Sequence, residues 1–130
     1  MTSSVRPKPR RFRFGVSVPP PADPQQWAEL ARKVEGLGYD VLLVGDHYSG
    51  RTGGQLAPIP AMVAAAAVTR TLRLGALVFS NDFRHPLVLA KELATVDVLS
   101  GGRVELGMGA GWMPSEIGRA SCRERVSHDV

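Results

Sequence analysis

Residues 46 and 47 are an aspartate and a histidine, and they come shortly after the apolar run from Asp40 to Val44. A histidine side chain titrates near neutral pH, so it can take up and release a proton during a reaction. A neighbouring carboxylate can orient a bound ring by accepting a hydrogen bond from it. Two adjacent residues at a strand end can equally well satisfy loop amides, so Asp46 and His47 alone leave both interpretations open.

A second candidate is the small-residue segment from Gly107 to Gly111. Gly109, Ala110 and Gly111 would let the backbone approach a phosphate or a flat ring closely. The segment overlaps a loose dinucleotide-binding pattern, but the third glycine of that pattern is missing and Trp112 follows. A tight turn after a strand explains the same residues, and the spacing does not decide between the two.

The dipeptide His85-Pro86 indicates a helix start, because proline presets the backbone angle of a first helical turn. We therefore expect a structural role for it, while the preceding Arg84 could meet an anion. The histidines are isolated from one another, so no metal-ligand spacing is found. The Gly-x-Ser-x-Gly turn of hydrolases and the phosphate-binding lysine loop of kinases are also missing from the sequence.

Four apolar runs alternate with three helical patterns, which predicts an α/β protein with the order βαβαβαβ. The predicted strands cover residues 11–18, 40–44, 73–79 and 103–108. The predicted helices cover about residues 24–37, 59–71 and 86–99. Trp27 and Phe14 are expected in the core, and the second strand is expected to be buried on both faces.

Connections of a few residues make each crossover right-handed and each strand parallel to the last. Two architectures then remain open, a doubly wound sheet and a (β/α)8 barrel. In both of them the loops after the carboxyl ends of the strands carry the chemistry. Asp46, His47 and the glycine-rich segment fall in loops of this kind.

Hydrophobic residues make up 44% of the chain and charged residues 22%, as in an ordinary soluble protein. No apolar run approaches the roughly 20 residues that span a bilayer, so we expect no membrane association. One cysteine fits a reducing cytoplasm. The net charge of +4 arises from a basic leader, residues 1–10, and its flank, which we expect to be disordered. We expect no nucleic-acid partner. The alternative is that the chain is a non-enzymatic module that binds nucleic acid through this basic leader.

The sequence changes character near Glu116. From Ile117 to Val126 it lacks an apolar period, is dense in arginine, and matches the translation of the sequencing-adapter string ATCGGAAGAGCGTCGTGTAGGGAAAGAGT. We therefore interpret residues 116–130 as a non-native tail, with Glu116 at the junction and no role for Cys122 or His128. Residues 11–115 are then expected to be the N-terminal half of a longer domain.

Residues 11–115 resemble the luciferase-like monooxygenase superfamily, and within it the bacterial group that uses the deazaflavin coenzyme F420. The stretch from His85 to Trp112 is highly specific as a signature of this family. Four segments carry it: Phe14-Gly15-Val16, Leu43-Val44-Gly45-Asp46-His47, Arg73-Leu74-Gly75 with Asn81-Asp82-Phe83-Arg84-His85-Pro86, and residues 97–107 leading into Gly109-Ala110-Gly111-Trp112.

The resemblance implies a (β/α)8 TIM barrel, of which this chain would supply the first four parallel strands and three helices. A cofactor would lie at the C-terminal mouth, across the ends of those strands. By carry-over His47 would be the catalytic residue that handles the proton, and Asp46 would hydrogen-bond the cofactor. A non-proline cis peptide beneath the ring would fall at Leu77-Val78.

The glycine turn after the fourth strand, Gly109-Ala110-Gly111, would also contact the cofactor. Sugar-phosphate dehydrogenases of the family carry an acid where Trp112 stands, and a tryptophan after the Asp-His pair that residues 48–51 do not supply. The resemblance therefore favours an apolar or carbonyl-bearing small-molecule substrate.

The implied reaction is hydride transfer between that organic substrate and coenzyme F420, with an FMN-dependent luciferase-like monooxygenase as the alternative. The complete protein is expected to be a cytoplasmic homodimer. The chain by itself is expected to be inactive and to associate through its two open sheet edges.

Overall fold

The computed structural model describes residues 11–48 and 56–111, together with Met113 and Glu116. The predicted leader (residues 1–10) and residues 117–130 of the predicted tail lie outside this part. The elements, in chain order, are β1 (Gly15–Ser17), α1 (Pro24–Gly36), β2 (Val41–Val44), α2 (Pro58–Val68), β3 (Arg73–Ala76), β4 (Phe79–Ser80), a 3-10 turn (Asn81–Phe83), α3 (Pro86–Ser100), β5 (Val104–Glu105) and β6 (Met108–Gly109). None of the described helices combines the length and the apolar character needed to cross a membrane.

The main sheet is parallel, and its strands β1, β2, β3 and β5 lie side by side in the order in which the chain makes them. A doubly wound sheet reverses its strand order at a switch point, and this sheet does not. Right-handed crossovers between sequential strands place all three helices on one face, where α2 packs between α1 and α3. The chain therefore forms the first four strands and three helices of a (β/α) barrel, as the resemblance implied.

The helices begin where local signals predicted. The Asp23 carboxylate accepts a hydrogen bond from the Gln26 amide at 2.7 Å and caps α1. The His85 imidazole accepts one from the Leu87 amide at 3.3 Å and caps α3, which confirms the structural role of His85-Pro86. Gly101, with a φ of 73°, ends α3 in the left-handed conformation that glycine adopts at little cost.

The core lies between the helices and the sheet, and the Trp27 indole N–H donates there to the Ala61 carbonyl at 2.9 Å. The prediction that Phe14 belongs to this core is wrong, because its side chain is 68% exposed. On β1 the apolar cluster begins only at Val16, so no helix covers Phe14. The buried members are Trp27, Ala31, Val34, Leu42, Val44, Ala61, Met62, Ala65, Leu72, Leu74, Ala76, Phe79, Leu89, Leu93 and Val96.

Several predicted boundaries also need correction. β2 is buried on its helix-facing side and only half-buried on the other, because no second layer packs there among the described residues. α2 ends at Val68, after which Thr69 is extended. The predicted third strand is interrupted after Ala76 by a cis peptide between Leu77 and Val78, where the resemblance implied one. The predicted fourth strand breaks as well, and the resumed segments β4 and β6 pair with each other in parallel.

Polar side chains at the amino ends of the strands tie helices to loops. The Arg103 guanidinium donates to the carbonyls of Ala66, Leu72 and Ser100 at 2.8, 2.9 and 2.6 Å, and so joins the ends of α2 and α3 to the start of β3. Glu105 accepts hydrogen bonds from Arg13 and Arg73 across the sheet. This end of the barrel is therefore a structural one.

Glu35, at the end of α1, performs a similar role for the loop before β3. Its Oε1 accepts hydrogen bonds from the amides of Arg70, Thr71 and Leu72 at 2.8, 2.7 and 2.9 Å. Partial burial would raise the pKa of this carboxyl group, but the hydrogen bonds outweigh it and lower the pKa from 4.5 to about 2.

Candidate functional site

The carboxyl ends of the strands surround a cavity of about 210 Å³. It contains five of the predicted site residues, Asp46, His47, Leu77, Val78 and Gly111, whereas Gly109 and Ala110 do not line it. Since these residues come from the loops after β2, β3 and β6, the parallel sheet is what brings them together. The full lining is Asp46, His47, Leu77, Val78, Ser80, Phe83, Gly111, Met113 and Glu116.

Asp46 is only 5% exposed, and protein groups engage both of its carboxylate oxygens. Arg84 donates to them through both terminal nitrogens, at 2.6 and 2.8 Å, and the Ser80 amide donates to Oδ2 at 3.0 Å. The hydrogen bond to Asp46 raises the pKa of the Arg84 guanidinium although burial opposes it. Asp46 thus joins the loop after β2 to β4 and to the start of α3. Its direct hydrogen bond to a cofactor stays a prediction.

In this chain His47 contacts Glu116, the residue at the junction with the predicted non-native tail, for which no role was predicted. Its Nδ1 lies 3.1 Å from Oε2 of Glu116, whose side chain is 2% exposed, and Oε1 of Glu116 accepts the Tyr48 amide at 3.1 Å. When Glu116 is ionised it can only accept a hydrogen bond, so Nδ1 of His47 donates the hydrogen between the two groups. The sequence signal that could have predicted this contact is an acid just beyond the glycine turn, at the same sheet edge as His47.

The cis peptide gives the cavity an apolar wall, formed by Leu77 and Val78. Gly109 supports this wall from behind, because a Cβ on Gly109 would lie 2.3 Å from Cγ2 of Val78. The close packing of β6 on the cis segment therefore requires glycine at this position. Gly109 acts through Val78, while Gly111 reaches the cavity itself.

The lining fits a flat heteroaromatic ring with a polar edge. Leu77 and Val78 offer an apolar surface against which such a ring can lie, and His47 offers a group for proton transfer. The Ser80 hydroxyl is buried in the wall and has no hydrogen-bond partner among the described residues. A buried polar atom without a partner is rare in a folded protein, so the Ser80 hydroxyl is available to a ligand atom or a water molecule in the cavity.

The model of the luciferase-like monooxygenase family matches residues 11–127. The chain belongs to this family. The luciferase-like chain is 40% identical over 89 residues to 4-hydroxyprotoasukamycin monooxygenase of Streptomyces nodosus subsp. asukaensis, a match that covers 68% of the chain and 24% of that enzyme. It is 38% identical over 98 residues to an F420-dependent glucose-6-phosphate dehydrogenase of Amycolatopsis mediterranei, which covers 72% of the chain and 29% of that enzyme.

A solved structure shows the same relationship. The coenzyme F420 dependent tetrahydromethanopterin reductase of Methanopyrus kandleri superimposes with a TM-score of 0.73 at 29% sequence identity, over 85% of this chain and 30% of that one. The luciferase-like chain therefore spans less than a third of the length of these relatives. They include F420-dependent enzymes and a monooxygenase, so the family contains both kinds of oxidoreductase. Trp112, on which the expectation about substrate polarity rested, lies outside the described residues.

Proposed function

We propose that the complete protein is an oxidoreductase that transfers a hydride between a small organic substrate and the deazaflavin coenzyme F420. The observation that supports this most is that His47 shares a cavity with Leu77 and Val78. A proton-handling group thus lies beside an apolar surface suited to a ring. The F420-dependent relatives add weight to the choice of cofactor.

The coenzyme, when bound, supplies the ring carbon that accepts or gives up the hydride. The protein's own residues orient the ring and manage the proton. Leu77 and Val78 support one face of the ring and exclude water from it. His47 takes up or delivers the substrate proton.

A fluorescence titration of the complete barrel protein with F420 tests the proposal. We expect saturable binding, and we expect His47→Gln to lower kcat by about 10²–10⁴-fold, the usual contribution of a general acid or base, with little change in Kd. His85→Gln is the matched control, because His85 caps α3 and its loss should lower only thermal stability. Absence of F420 binding, or wild-type turnover by His47→Gln, would contradict the proposal.

An FMN-dependent monooxygenase is the second candidate, supported by the 40% identity to a Streptomyces monooxygenase. The same cavity would hold the flavin ring, since the two cofactors share a flat tricyclic shape. Absorption spectra of the purified protein mixed with each cofactor in turn separate the two functions. Tight binding of FMN with no binding of F420 favours the monooxygenase.

We further propose that the complete protein is a homodimer that pairs through α2 and α3. α2 carries no polar side chain, and a helix that is apolar all round is normally covered all round. The outer groove between α2 and α3, about 560 Å³, includes exposed Val63, Leu87 and Leu99. Lys91 and Glu92 also line the groove, and this pair of opposite charges can complement itself across a two-fold axis.

A further inference from the structure

The inner face of the main sheet, opposite the helices, carries charged side chains at the amino ends of the strands. Arg13 lies just before β1, Arg73 begins β3 and Glu105 ends β5, and both guanidinium groups donate to Oε1 of Glu105. Leu74 and Val104 pack into the helix-facing core, so strand alternation directs Arg73 and Glu105 to the opposite face. We call Arg13, Arg73 and Glu105 the inner charge cluster.

The inner charge cluster has one positive charge in excess. Both arginines stay protonated at any ordinary pH. Partial burial would raise the pKa of the Glu105 carboxyl group, but the hydrogen bonds from Arg73 and Arg13 outweigh it and lower the pKa, so Glu105 carries a single negative charge at neutral pH. Among the residues that the structure describes, no second carboxylate contacts either arginine.

The position of the cluster in a closed barrel follows from the way in which barrel interiors are filled. The interior of a (β/α)8 barrel consists of layers of four side chains, and alternate strands supply each layer. Arg13 and Arg73 come from the first and third strands and meet at one carboxylate oxygen, so they belong to one layer. The other two side chains of that layer then come from the fifth and seventh strands of the complete barrel, which lie outside this chain.

The next inward positions on the same strands support this layering. Gly15 and Gly75 each lie two residues beyond an arginine of the cluster. A Cβ on Gly15 would lie 3.5 Å from one methyl group of Leu43, and a Cβ on Gly75 would lie 3.2 Å from the other. The Leu43 side chain therefore lies between the first and third strands at a single level, as the alternation of layers requires.

Closing the barrel removes the inner charge cluster from water, and an unpaired buried charge strongly destabilises a fold. A second copy of this chain does not neutralise the excess, because its own cluster brings another positive charge to the same face. A half-barrel with an inward-facing acid does neutralise it. Charge complementarity therefore favours an acid-bearing half-barrel over a second copy as the partner of this face.

We infer that the C-terminal half of the complete barrel places an aspartate or a glutamate against Arg13 and Arg73, at the first inward position of the fifth or seventh strand. The inner face of this chain is thus an interface for an acid-bearing half-barrel, and it opposes closure between two copies of the chain. The inference is independent of the proposed function, since it requires only that the barrel closes.

Arg13→Met in the complete protein tests the inference by the sign of its effect. With a second acid in the layer, the substitution leaves a buried carboxylate in excess, and we expect the Tm to fall by about 6 °C or more. With Glu105 as the sole acid, the substitution would remove the excess charge, and the Tm would stay the same or rise. Arg11→Met is the matched control, because Arg11 is exposed and lines the groove of about 500 Å³ beside the cluster. It should change the Tm by no more than about 2 °C.

Arg13→Lys keeps the charge and decides the case in which Arg13→Met fails to fold. It should retain most of the Tm, and a loss as large as that of Arg13→Met overturns the inference, since charge would then not be what is lost. An unchanged or raised Tm of Arg13→Met overturns it, as does a complete gene that encodes no acid at the named strand positions. The 130-residue chain alone should associate in an open-ended way through its sheet edges. A discrete dimer of it, in sedimentation at about 0.05 M and about 0.5 M salt alike, overturns the claim that the face opposes closure between copies.

Discussion

Asp46, which is buried, and Arg84, which is partly buried, form an ion pair, and breaking it tests whether the two side chains hold the loops of the site together. Their side chains are 2% and 14% exposed, and two hydrogen bonds of 2.6 and 2.8 Å join them. Replacing Asp46 with Asn keeps the shape but leaves the partly buried guanidinium without a counter-charge. Removing one member of such a pair costs about 3–5 kcal/mol, against a total stability of about 5–15 kcal/mol.

Arg84→Met should cost a similar amount, because the Asp46 carboxylate then stays buried with only the Ser80 amide as a hydrogen-bond partner among the described residues. The double variant Asp46→Asn/Arg84→Met removes both charges, so we expect its loss to fall at least about 2 kcal/mol short of the sum of the single losses. Urea unfolding of the four proteins at pH 7 measures these free energies. Added salt should change them little, since buried pairs are poorly screened.

Additive losses, within about 0.5 kcal/mol, would refute the claim that the two side chains act as a unit. Single losses below about 1 kcal/mol would show the pair to be an ordinary surface contact. In either case Arg84 would be free to meet a ligand anion, and the role of Asp46 in holding β4 would have to be abandoned.

Two further predictions concern other parts of the molecule. Glu35 has a folded pKa of about 2, below its ordinary 4.5, so its contribution is complete above about pH 4.5 and is lost as the pH falls towards 2. Glu35→Gln should accordingly cost about 1–2 kcal/mol at pH 7 and nothing near pH 2, as followed by Tm against pH. Leu87→Glu should make the complete protein monomeric in sedimentation experiments, whereas Leu37→Glu, an exposed leucine outside the α2–α3 groove, should leave the dimer intact.

The helix boundaries could be predicted because their signals act over a few residues. The Asp23 side chain bonds an amide three positions away, and the His85 side chain one two positions away. The choice between a doubly wound sheet and a barrel could not be derived in this way. It depends on the order in which strands pair, and a local apolar pattern carries no information about that order.

The only site residues that could be predicted were those that follow a strand end and those that the resemblance implied. Asp46 and His47 follow β2, and every parallel strand directs its carboxyl end to the same mouth. Leu77 and Val78 have ordinary strand-forming side chains, so the cis bond between them was expected from the resemblance alone. The contact between His47 and Glu116 joins residues 69 positions apart, and no pattern within either segment encodes it.

Buried polar groups have hydrogen-bond partners at the amino ends of the strands but not all of them do at the carboxyl ends, and this difference supports the location of the site. At the amino ends, the side chains of Glu35 and Arg103 each form several hydrogen bonds to loop or helix groups. No buried polar side-chain atom described at this end lacks a hydrogen-bond partner. At the carboxyl ends, the Ser80 hydroxyl is buried and has no partner in the described part of the chain. Evolution of stability alone would remove such a group, since alanine fits the same space. Its presence beside His47 is therefore better explained by binding than by folding, and substitutions at Arg103 should change Tm where substitutions at Ser80 change affinity.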